Sequence, residues 1–433
     1  MPDPLPRAKD AAELRADVTL KFPFLEYSVY NILHHANYAQ HNMIDQKDFL
    51  VDFSLPRWIF INNLFEKHDI RRYSKSASSL YILAERNLTE LIQNHPQKES
   101  CFNVEKERYG VPFFAAVATN SEESINTLLK IKTETQPETS PLHSLYHSYC
   151  QNKAGRLKLG RDFVFPKKGD VISCVAEHGD NILLNFILES EPDQHLLNSK
   201  GREGMTPLSR AIIDGPESVV RVLIEKGAEI NFKDNYGRTP LLWAAIGDHE
   251  SIARLLIEKG AEVNSKDDRS RTPLSLAATG SFESVVRLLI EKGAEVNSRD
   301  YSGRTSLSMA ATGSFEEVVR LLIEKGAEVN SRDIYGGTPL SLAVEGMNEF
   351  MVALLINCGA DTNQRDDLGQ TPLSLATTRG KHDVIQLLLS HGAKVDSMDV
   401  GGRTPEWWAV NYGHEKTMEL LLNYGTDIGS YIK

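Results

Sequence analysis

Apolar positions in the second half of the chain fall into two stripes that alternate along the sequence. The longer stripe has apolar residues on a helical spacing, for example Val285, Val286, Leu288, Leu289 and Ile290. A shorter stripe comes first in each unit, as where Leu241 and Ala244 lie three residues apart. Both spacings place apolar side chains on one face of a helix. The pattern therefore predicts pairs of amphipathic helices, each pair with a short member and a longer one.

The helix pair recurs with a period of 33 residues. Threonine, glycine and aspartate mark three places in successive units: Thr206, Thr239, Thr272, Thr305, Thr338, Thr371 and Thr404; Gly227, Gly260, Gly293, Gly326, Gly359, Gly392 and Gly425; Asp234, Asp267, Asp300, Asp333, Asp366 and Asp399. Thr-Pro is typical of a helix start, because the hydroxyl caps free N–H groups and proline suits the first turn. Glycine suits a left-handed C-cap, and Asp-x-x-Gly indicates a tight turn. Each unit is interpreted as helix, turn, helix and hairpin finger, which buries its core only against a neighbour.

These letters resemble a known family. GRTPLLWAA at 237–245 and LLIEKGAEVN at 255–264 resemble the ankyrin repeat. The resemblance implies an all-α ankyrin-repeat solenoid with seven regular copies over residues 201–433, and protein–protein interaction as its function. One departure is systematic, because the histidine of the family's Thr-Pro-Leu-His motif is replaced by Ser209, Leu242, Ser275, Ser308, Ser341 and Ser374. Since that histidine commonly bonds between repeats, we expect weaker polar bracing here.

Upstream the period becomes irregular. Residues 79–92, 109–129 and 173–188 resemble degraded copies of the repeat. A polar loop is predicted to begin at residue 133, and the stretch to about residue 169 fits no repeat. We therefore predict three regions: an N-terminal helical region (1–75), atypical repeats with a polar insertion (76–200), and regular repeats with a C-terminal cap (201–433).

The N-terminal region carries two further amphipathic patterns. In residues 22–39, one helical face is predicted to hold Leu25, Val29, Ile32 and Ala36. In residues 54–68, the inward side is predicted to hold Trp58, Ile61 and Phe65. This region is similar to the helical stretch that precedes ankyrin repeats in many fungal proteins, some with an upstream NTPase domain, which we do not expect here. We interpret it as a helical cap over the first repeat.

Composition and charge narrow the classes of partner. A hydrophobic fraction of 41% and a charged fraction of 25% are ordinary for a folded protein. The net charge of −11 argues against nucleic acid or an anionic membrane as the main partner. No signal peptide or membrane-spanning run is recognised. The 4 cysteines show no metal-binding spacing, which favours a reducing compartment.

Two rows of basic residues flank the turn aspartates. Before the aspartate come Lys233, Lys266, Arg299, Arg332 and Arg365, and after it come Arg238, Arg271, Arg304 and Arg403. Nucleic-acid binding is one interpretation of these rows. Pairing with the interleaved aspartates is favoured, because acidic residues outnumber basic ones in this region.

No catalytic motif is recognised. The nearest approach to a phosphate-binding loop is GRLKLGRD at 155–162, where Arg161 and Asp162 stand in place of Lys and Ser or Thr. We predict a non-catalytic protein with no cofactor, no metal and no small-molecule substrate.

The contrast between constant and variable segments indicates a contact surface. Residues 280–300 and 313–333 are identical except for Ser284 against Glu317, whereas the finger tips differ from copy to copy. Exposed aromatic residues at tips are typical of binding surfaces. The predicted partner-binding residues are Tyr236, Arg238, Ile246, Arg269, Tyr301, Tyr335, Leu368 and Trp408. The alternative is that constancy records recent duplication and the tips are unconstrained.

The last repeat departs from the pattern. Glu406 occupies the place of a core leucine and is followed by Trp407 and Trp408. We expect the carboxylate to face water, as in a terminal cap, with tryptophan either covering the end or anchoring a partner.

The family resemblance admits two settings for this protein. One is a regulatory adaptor that acts as a transcription co-regulator. The other is a cytoplasmic scaffold, or a stand-alone relative of the repeat half of NTPase-linked immune-type receptors. We predict a cytoplasmic location. Ile213 and Ile246, at a repeat position that the family associates with nuclear import, leave a nuclear one open.

Overall fold

The computed structural model describes residues 8–66, 73–74, 77–101, 111–151, 169–190 and 197–425. Throughout these ranges the regular elements are helices, so the all-α prediction is confirmed. The phosphate-loop near miss at 155–162 lies outside them. The chain forms two compact units, Met1–Glu229 and Ile230–Lys433. The predicted boundaries at 75/76 and 200/201 mark changes in repeat regularity and stay predictions.

The first unit begins with four helices: α1 (Ala8–Lys21), α2 (Leu25–His41), α3 (Lys47–Asp52) and α4 (Leu55–Phe65). The buried face of α2 consists of Val29, Leu33 and Ala36, whereas Ile32 is exposed. The prediction that Ile32 lies on the buried face was therefore wrong. Helix α2 packs on both α4 and α6 (Thr89–Gln93), and these two contacts bury Leu33 instead.

On α4, Trp58 and Phe65 are buried as predicted. Ile61 is only half-buried, and its neighbour Ile59 takes the buried place. The indole Nε1 of Trp58 donates a hydrogen bond of 2.9 Å to the carbonyl of Val29, which ties α4 to α2. The two helices therefore share a buried contact that is both apolar and polar.

The rest of the first unit consists of helix pairs and one additional helix. The pairs are α5 (Ser79–Glu85) with α6, α7 (Pro112–Ala118) with α8 (Glu122–Glu134), α10 (Gly169–His178) with α11 (Asn181–Ser190), and α12 (Pro207–Asp214) with α13 (Glu217–Glu225). The stretches interpreted as degraded copies thus each form a helix pair. The predicted polar loop is shorter than expected, because α9 (Pro141–Gln151) follows it and packs on α8 and α11 through buried Leu142 and Tyr149.

The second unit is an array of six helix pairs. The inner helices are α14 (Pro240–Ile246), α16 (Pro273–Thr279), α18 (Ser306–Gly313), α20 (Pro339–Glu345), α22 (Pro372–Thr378) and α24 (Pro405–Asn411). The outer helices are α15 (Glu250–Glu258), α17 (Glu283–Glu291), α19 (Glu316–Glu324), α21 (Glu349–Asn357), α23 (His382–Ser390) and α25 (Glu415–Asn423). Inner helices pack on inner helices and outer on outer, so each repeat buries its apolar stripe against the next. No helix among the described residues has the length and apolar character needed to cross a bilayer.

The threonine that recurs before each inner helix is its N-cap, as predicted. In every regular repeat its hydroxyl accepts a hydrogen bond from the backbone N–H three residues on. The serines that replace the family's histidine bond back to the same cap. Ser275 and Ser341 complete capping boxes, accepting from the N–H groups of Thr272 and Thr338 at 2.9 and 2.8 Å. These serines therefore brace their own repeat.

Polar bracing between repeats of the second unit comes from asparagines, a role that the sequence analysis missed. The side-chain amide of Asn231 donates to the carbonyl of Gly260 at 3.2 Å and accepts from the N–H of Glu262 at 3.0 Å. The same double contact to the next repeat is made by Asn264, Asn297, Asn330 and Asn363. The signal in the sequence is an asparagine that recurs at the repeat period.

We expect Asn297→Ala to destabilise the array by about 1 kcal/mol, because it removes two hydrogen bonds, to the Gly326 carbonyl and from the Glu328 N–H, at an exposed position where water can partly replace them. Glu291→Ala, at an exposed position on α17, is the matched control and should change stability by about 0.5 kcal/mol or less. The measurement is urea unfolding followed by circular dichroism. Equal midpoints for both variants would show that the asparagine contacts are dispensable.

Candidate functional site

The fingers between repeats are built on one aspartate each. One carboxylate oxygen of Asp234, Oδ1, accepts from the backbone N–H groups of Tyr236 and Arg238 at 2.8 and 2.9 Å. Gly237, at φ +72°, closes the turn in a backbone region that favours glycine. The same two acceptor bonds recur at each later turn aspartate, Asp267, Asp300, Asp333, Asp366 and Asp399. The tip conformation is therefore set by one side chain that lies below the tip.

Consecutive fingers are joined through their backbones. The N–H of Asp268 donates to the carbonyl of Tyr236 at 3.0 Å, and the N–H of Tyr301 donates to the carbonyl of Arg269 at 3.1 Å. Three more such bonds lead from Ile334 to Ser302, from Asp367 to Tyr335 and from Val400 to Leu368. The tips therefore form a continuous hydrogen-bonded ladder that uses main-chain groups and leaves their side chains free.

Large apolar side chains stand exposed on this ladder. Tyr301 and Tyr335 are exposed by 73% and 71%, and Tyr236 and Leu368 by 52% and 62%. Arg269 is also exposed. Two further exposed tip residues, Ile334 and Val400, were not among the predicted site residues. The ladder thus presents a row of apolar and aromatic side chains on a defined backbone.

Arg238 is held within its own repeat. Its Nε donates to Asp234 Oδ2 at 3.0 Å, and its guanidinium lies 4.4 Å from the centre of the Tyr236 ring and 3.9 Å from that of Trp243. The predicted pairing of the basic row with the aspartates is seen again in Arg271 with Asp267, Arg304 with Asp300 and Arg403 with Asp399. In the row before the aspartates, Lys233 reaches the Lys266 carbonyl, and Arg332 pairs with Asp367 at 3.1 Å.

The inner helices add a second row beside the fingers. Ile246 lies half-buried at the end of α14. In the second unit, the fourth residue after each capping threonine is a large apolar side chain, a row that the sequence analysis did not identify: Trp243, Leu276, Met309, Leu342, Leu375 and Trp408. Trp243, Leu342 and Leu375 are half-buried, so part of this row is accessible.

In the last repeat, Trp408 is the buried member of an aromatic cluster. It is 9% exposed, its ring stacks on Tyr412 at 5.8 Å, and Arg403 lies 4.4 Å from its centre. Trp407 meets it edge-on at 4.8 Å. Because Trp408 is buried, we leave it out of the candidate surface.

Glu406 does not face water as expected. Its side chain is buried, with 8% of the residue exposed, because the core leucine position on α24 points into the repeat whatever residue occupies it. Burial raises the pKa of the Glu406 carboxyl.

In the described part of the chain, no group of three or more His, Cys, Asp or Glu side chains is placed to hold a metal ion. The fingers and inner helices of the second unit, which carry the rows of exposed and half-buried apolar side chains, are the candidate functional surface.

A family model described as "Ankyrin repeats (3 copies)" matches residues 172–267, 262–333 and 335–431. Together these residues make up more than half of the chain. Among solved structures, the chain is similar to the ankyrin repeat domain of Bcl-3, described as a unique member of the IkappaB protein family. That domain is 29% identical over 51% of this chain and 100% of its own, with a TM-score of 0.46. Comparison with curated proteins gives no match.

The buried Glu406 predicts a pH-dependent stability of the last repeat. Since the folded-state pKa is raised, the carboxyl costs nothing below its unfolded pKa of about 4.3, and it destabilises the repeat increasingly as pH rises through the folded value. Glu406→Gln should therefore stabilise this repeat at pH 7, on the order of 1 kcal/mol, and have little effect near pH 3.5. Urea unfolding at both pH values is the measurement.

The control for this prediction is Glu419→Gln, at an exposed position on α25. It should leave the pH dependence unchanged. If Glu406→Gln changes the unfolding free energy equally at both pH values, ionisation of this carboxyl is not the cause of the change.

Proposed function

Since the chain belongs to the ankyrin-repeat family, we propose that it is a non-catalytic regulatory adaptor that binds another protein through its fingers and inner helices. The observation that carries the proposal is the row of exposed apolar tips on one hydrogen-bonded backbone ladder. Exposed aromatic side chains on a rigid support are typical of protein-binding surfaces, because little entropy is lost when they are buried.

The accessible part of the inner-helix row extends this surface. Trp243, Leu342 and Leu375 supply apolar area beside the tips, and Ile246 lies one helical turn beyond Trp243. The proposed contact residues are Tyr236, Arg238, Ile246, Arg269, Tyr301, Tyr335 and Leu368. Arg238 contributes by holding the Tyr236 and Trp243 rings in place, since its guanidinium lies against both.

For the regulated process, we propose a transcription co-regulator of the fungal type, in which the bound protein belongs to a gene-regulatory assembly. Ile213 and Ile246 occupy the repeat position that the family associates with nuclear import. Both are half-buried, so part of each side chain is accessible. The alternative is a cytoplasmic scaffold. The two differ in where the protein is found in the cell, and imaging of the tagged full-length chain separates them.

The contact surface is tested by replacing Tyr236, Arg269, Tyr301 and Tyr335 with Ala together. The fold should be retained, because these side chains lie on the exposed tips, and surface substitutions change stability by about 0.5 kcal/mol or less each. Binding should fall strongly, since truncating an aromatic or arginine anchor typically costs about 2 kcal/mol. The measurement is affinity purification from the native cell, with thermal melting to verify the fold.

The matched control replaces Glu291, the last residue of α17, and its C-cap Lys292 with Ala. Both positions are exposed, and this variant should capture the same proteins as the wild type. If the tip variant melts like the wild type and still captures every protein that the wild type captures, the fingers are not the contact surface.

A further inference from the structure

The row of arginines that follows the turn aspartates is interrupted at two consecutive fingers. Four of the six fingers have an arginine four residues after the aspartate, at Arg238, Arg271, Arg304 and Arg403. At the other two, the position is taken by Gly337 and Gln370. The aspartates of these two fingers, Asp333 and Asp366, still form the turn, since Oδ1 of each accepts two backbone N–H groups.

The first finger of the second unit shows how a filled position is arranged. The guanidinium of Arg238 lies between Asp234 Oδ2, at 3.0 Å from Nε, and the faces of the Tyr236 and Trp243 rings. A carboxylate oxygen and an aromatic face together hold one guanidinium, through a charged hydrogen bond and a cation–π contact. Asp234 is buried.

The finger of Asp333 keeps the aspartate and the tip tyrosine but lacks the guanidinium and the tryptophan, whose Nε1 donates to Asp234 Oδ2 at 3.2 Å in the first finger. Tyr335 occupies the tip position that Tyr236 occupies in the first finger, and Leu342 stands in place of Trp243. Asp333 is only half-buried, and Tyr335 is 71% exposed. Among the described residues, the neighbouring cation Arg332 pairs with Asp367 of the following finger, so Asp333 has no ion-pair partner.

The next finger gives independent support for the missing charge. Burial raises the pKa of the Asp366 carboxyl, and the backbone N–H groups of Gln370 and Leu368 only partly offset this effect. Burial also acts on Asp399, but the hydrogen bonds that Arg403 and Gly401 donate, including the Arg403 side chain, lower its pKa. The two carboxylates differ in whether an arginine follows, and Asp366 also lies near the charges of Asp367 and Arg332.

We propose that Asp333, Tyr335 and the space above Gly337 form an open slot that receives an arginine side chain of the protein partner. The slot deepens the proposed function and rests on it, because the tip of this finger lies on the same contact surface. The partner's guanidinium takes the place that Arg238 fills in its own finger, with Asp333 Oδ2 as its acceptor and the Tyr335 ring beside it. Arginine suits the slot better than lysine, because its planar group stacks on a ring while it donates to a carboxylate.

The adjacent open finger suggests the spacing of a second basic residue. Neighbouring repeats lie about 10 Å apart, and a peptide in the polyproline-II conformation advances about 3.1 Å per residue with three residues per turn. A partner segment that reaches both Asp333 and Asp366 would therefore carry basic residues about three positions apart. The second finger has Leu368 in place of the tyrosine, so its contact lacks the aromatic face.

The test uses a short fluorescein-labelled Gly-Ser peptide with two arginines at this spacing, and the same peptide with citrulline, which is neutral and nearly isosteric. Fluorescence polarisation at low salt with the full chain measures both affinities. We expect the arginine peptide to bind about tenfold or more tightly than the citrulline peptide, since charged hydrogen bonds are roughly twice as strong as neutral ones.

Two variants close the slot in different ways. Asp333→Asn removes the charge and keeps an Oδ1 acceptor for both turn N–H groups. Gly337→Arg supplies the arginine from within the chain. Gly337 does not have a positive φ, and an added Cβ would lie 3.0 Å from Asp333 Oδ2, so the carboxylate must shift only slightly. Each variant should weaken the arginine peptide about fivefold, since it removes one partly exposed ion pair, with the fold retained in thermal melting.

Glu291→Gln, which removes an exposed carboxylate from α17, is the control and should bind the arginine peptide like the wild type. Equal affinity for both peptides, unchanged binding by Asp333→Asn, or an equal loss in Glu291→Gln would overturn the slot. Should Gly337→Arg fail to fold, Asp333→Asn decides alone.

The outcome for the slot is separable from that for the finger surface. If the four-residue tip variant loses its cellular partners but the arginine peptide does not bind the wild type, the finger surface stands and the slot is wrong. If the peptide binds through Asp333 but the tip variant keeps every cellular partner, the slot stands and the proposed adaptor surface is wrong.

Discussion

The side-chain amide that joins each repeat to the next sets the register on which the second unit depends. A pair of short helices cannot bury its own apolar stripe, so it needs a neighbour, and hydrophobic burial is non-directional. The amide of Asn231 is satisfied by one carbonyl and one N–H, of Gly260 and Glu262, which exist together at a single register. The backbone bonds between finger tips require that same register.

This arrangement fits the constancy of residues 280–300 and 313–333, for which recent duplication is the alternative. The outer helix, its glycine cap and the asparagine all lie against a neighbouring copy, which restricts the residues that suit those positions. The tips are held differently, by Oδ1 of the turn aspartate and by main-chain bonds. Their side chains take no part in either, which leaves them free to differ from finger to finger. The tip side chains make few contacts that stabilise the fold, so they are the ones most available for binding.

What could be predicted from the sequence follows from how local each interaction is. Thr caps, glycine ends and turn aspartates act within a few residues, and they were predicted correctly. The asparagine contacts span 29 and 31 residues, so no local pattern shows their partners. Leu33 and Ile32 both fit a helical stripe, and only the packing of α2 on α4 and α6 distinguishes them. Glu406 was judged by its charge, but its position on α24 decides its burial.

In the candidate site, too, the sequence does not show which atom of a side chain is available for binding. Each turn aspartate uses Oδ1 for the fold, and Oδ2 is left for a cation. Where that cation is an arginine of the chain, as at Arg304 and Arg403, the pair is partly exposed, and such pairs contribute at most about 1 kcal/mol. Replacing the arginine by Gly337 therefore costs the fold little, while it leaves a carboxylate beside an exposed tyrosine. The sequence shows the recurring aspartates. Only the folded finger shows that the two carboxylate oxygens of each aspartate have separate roles.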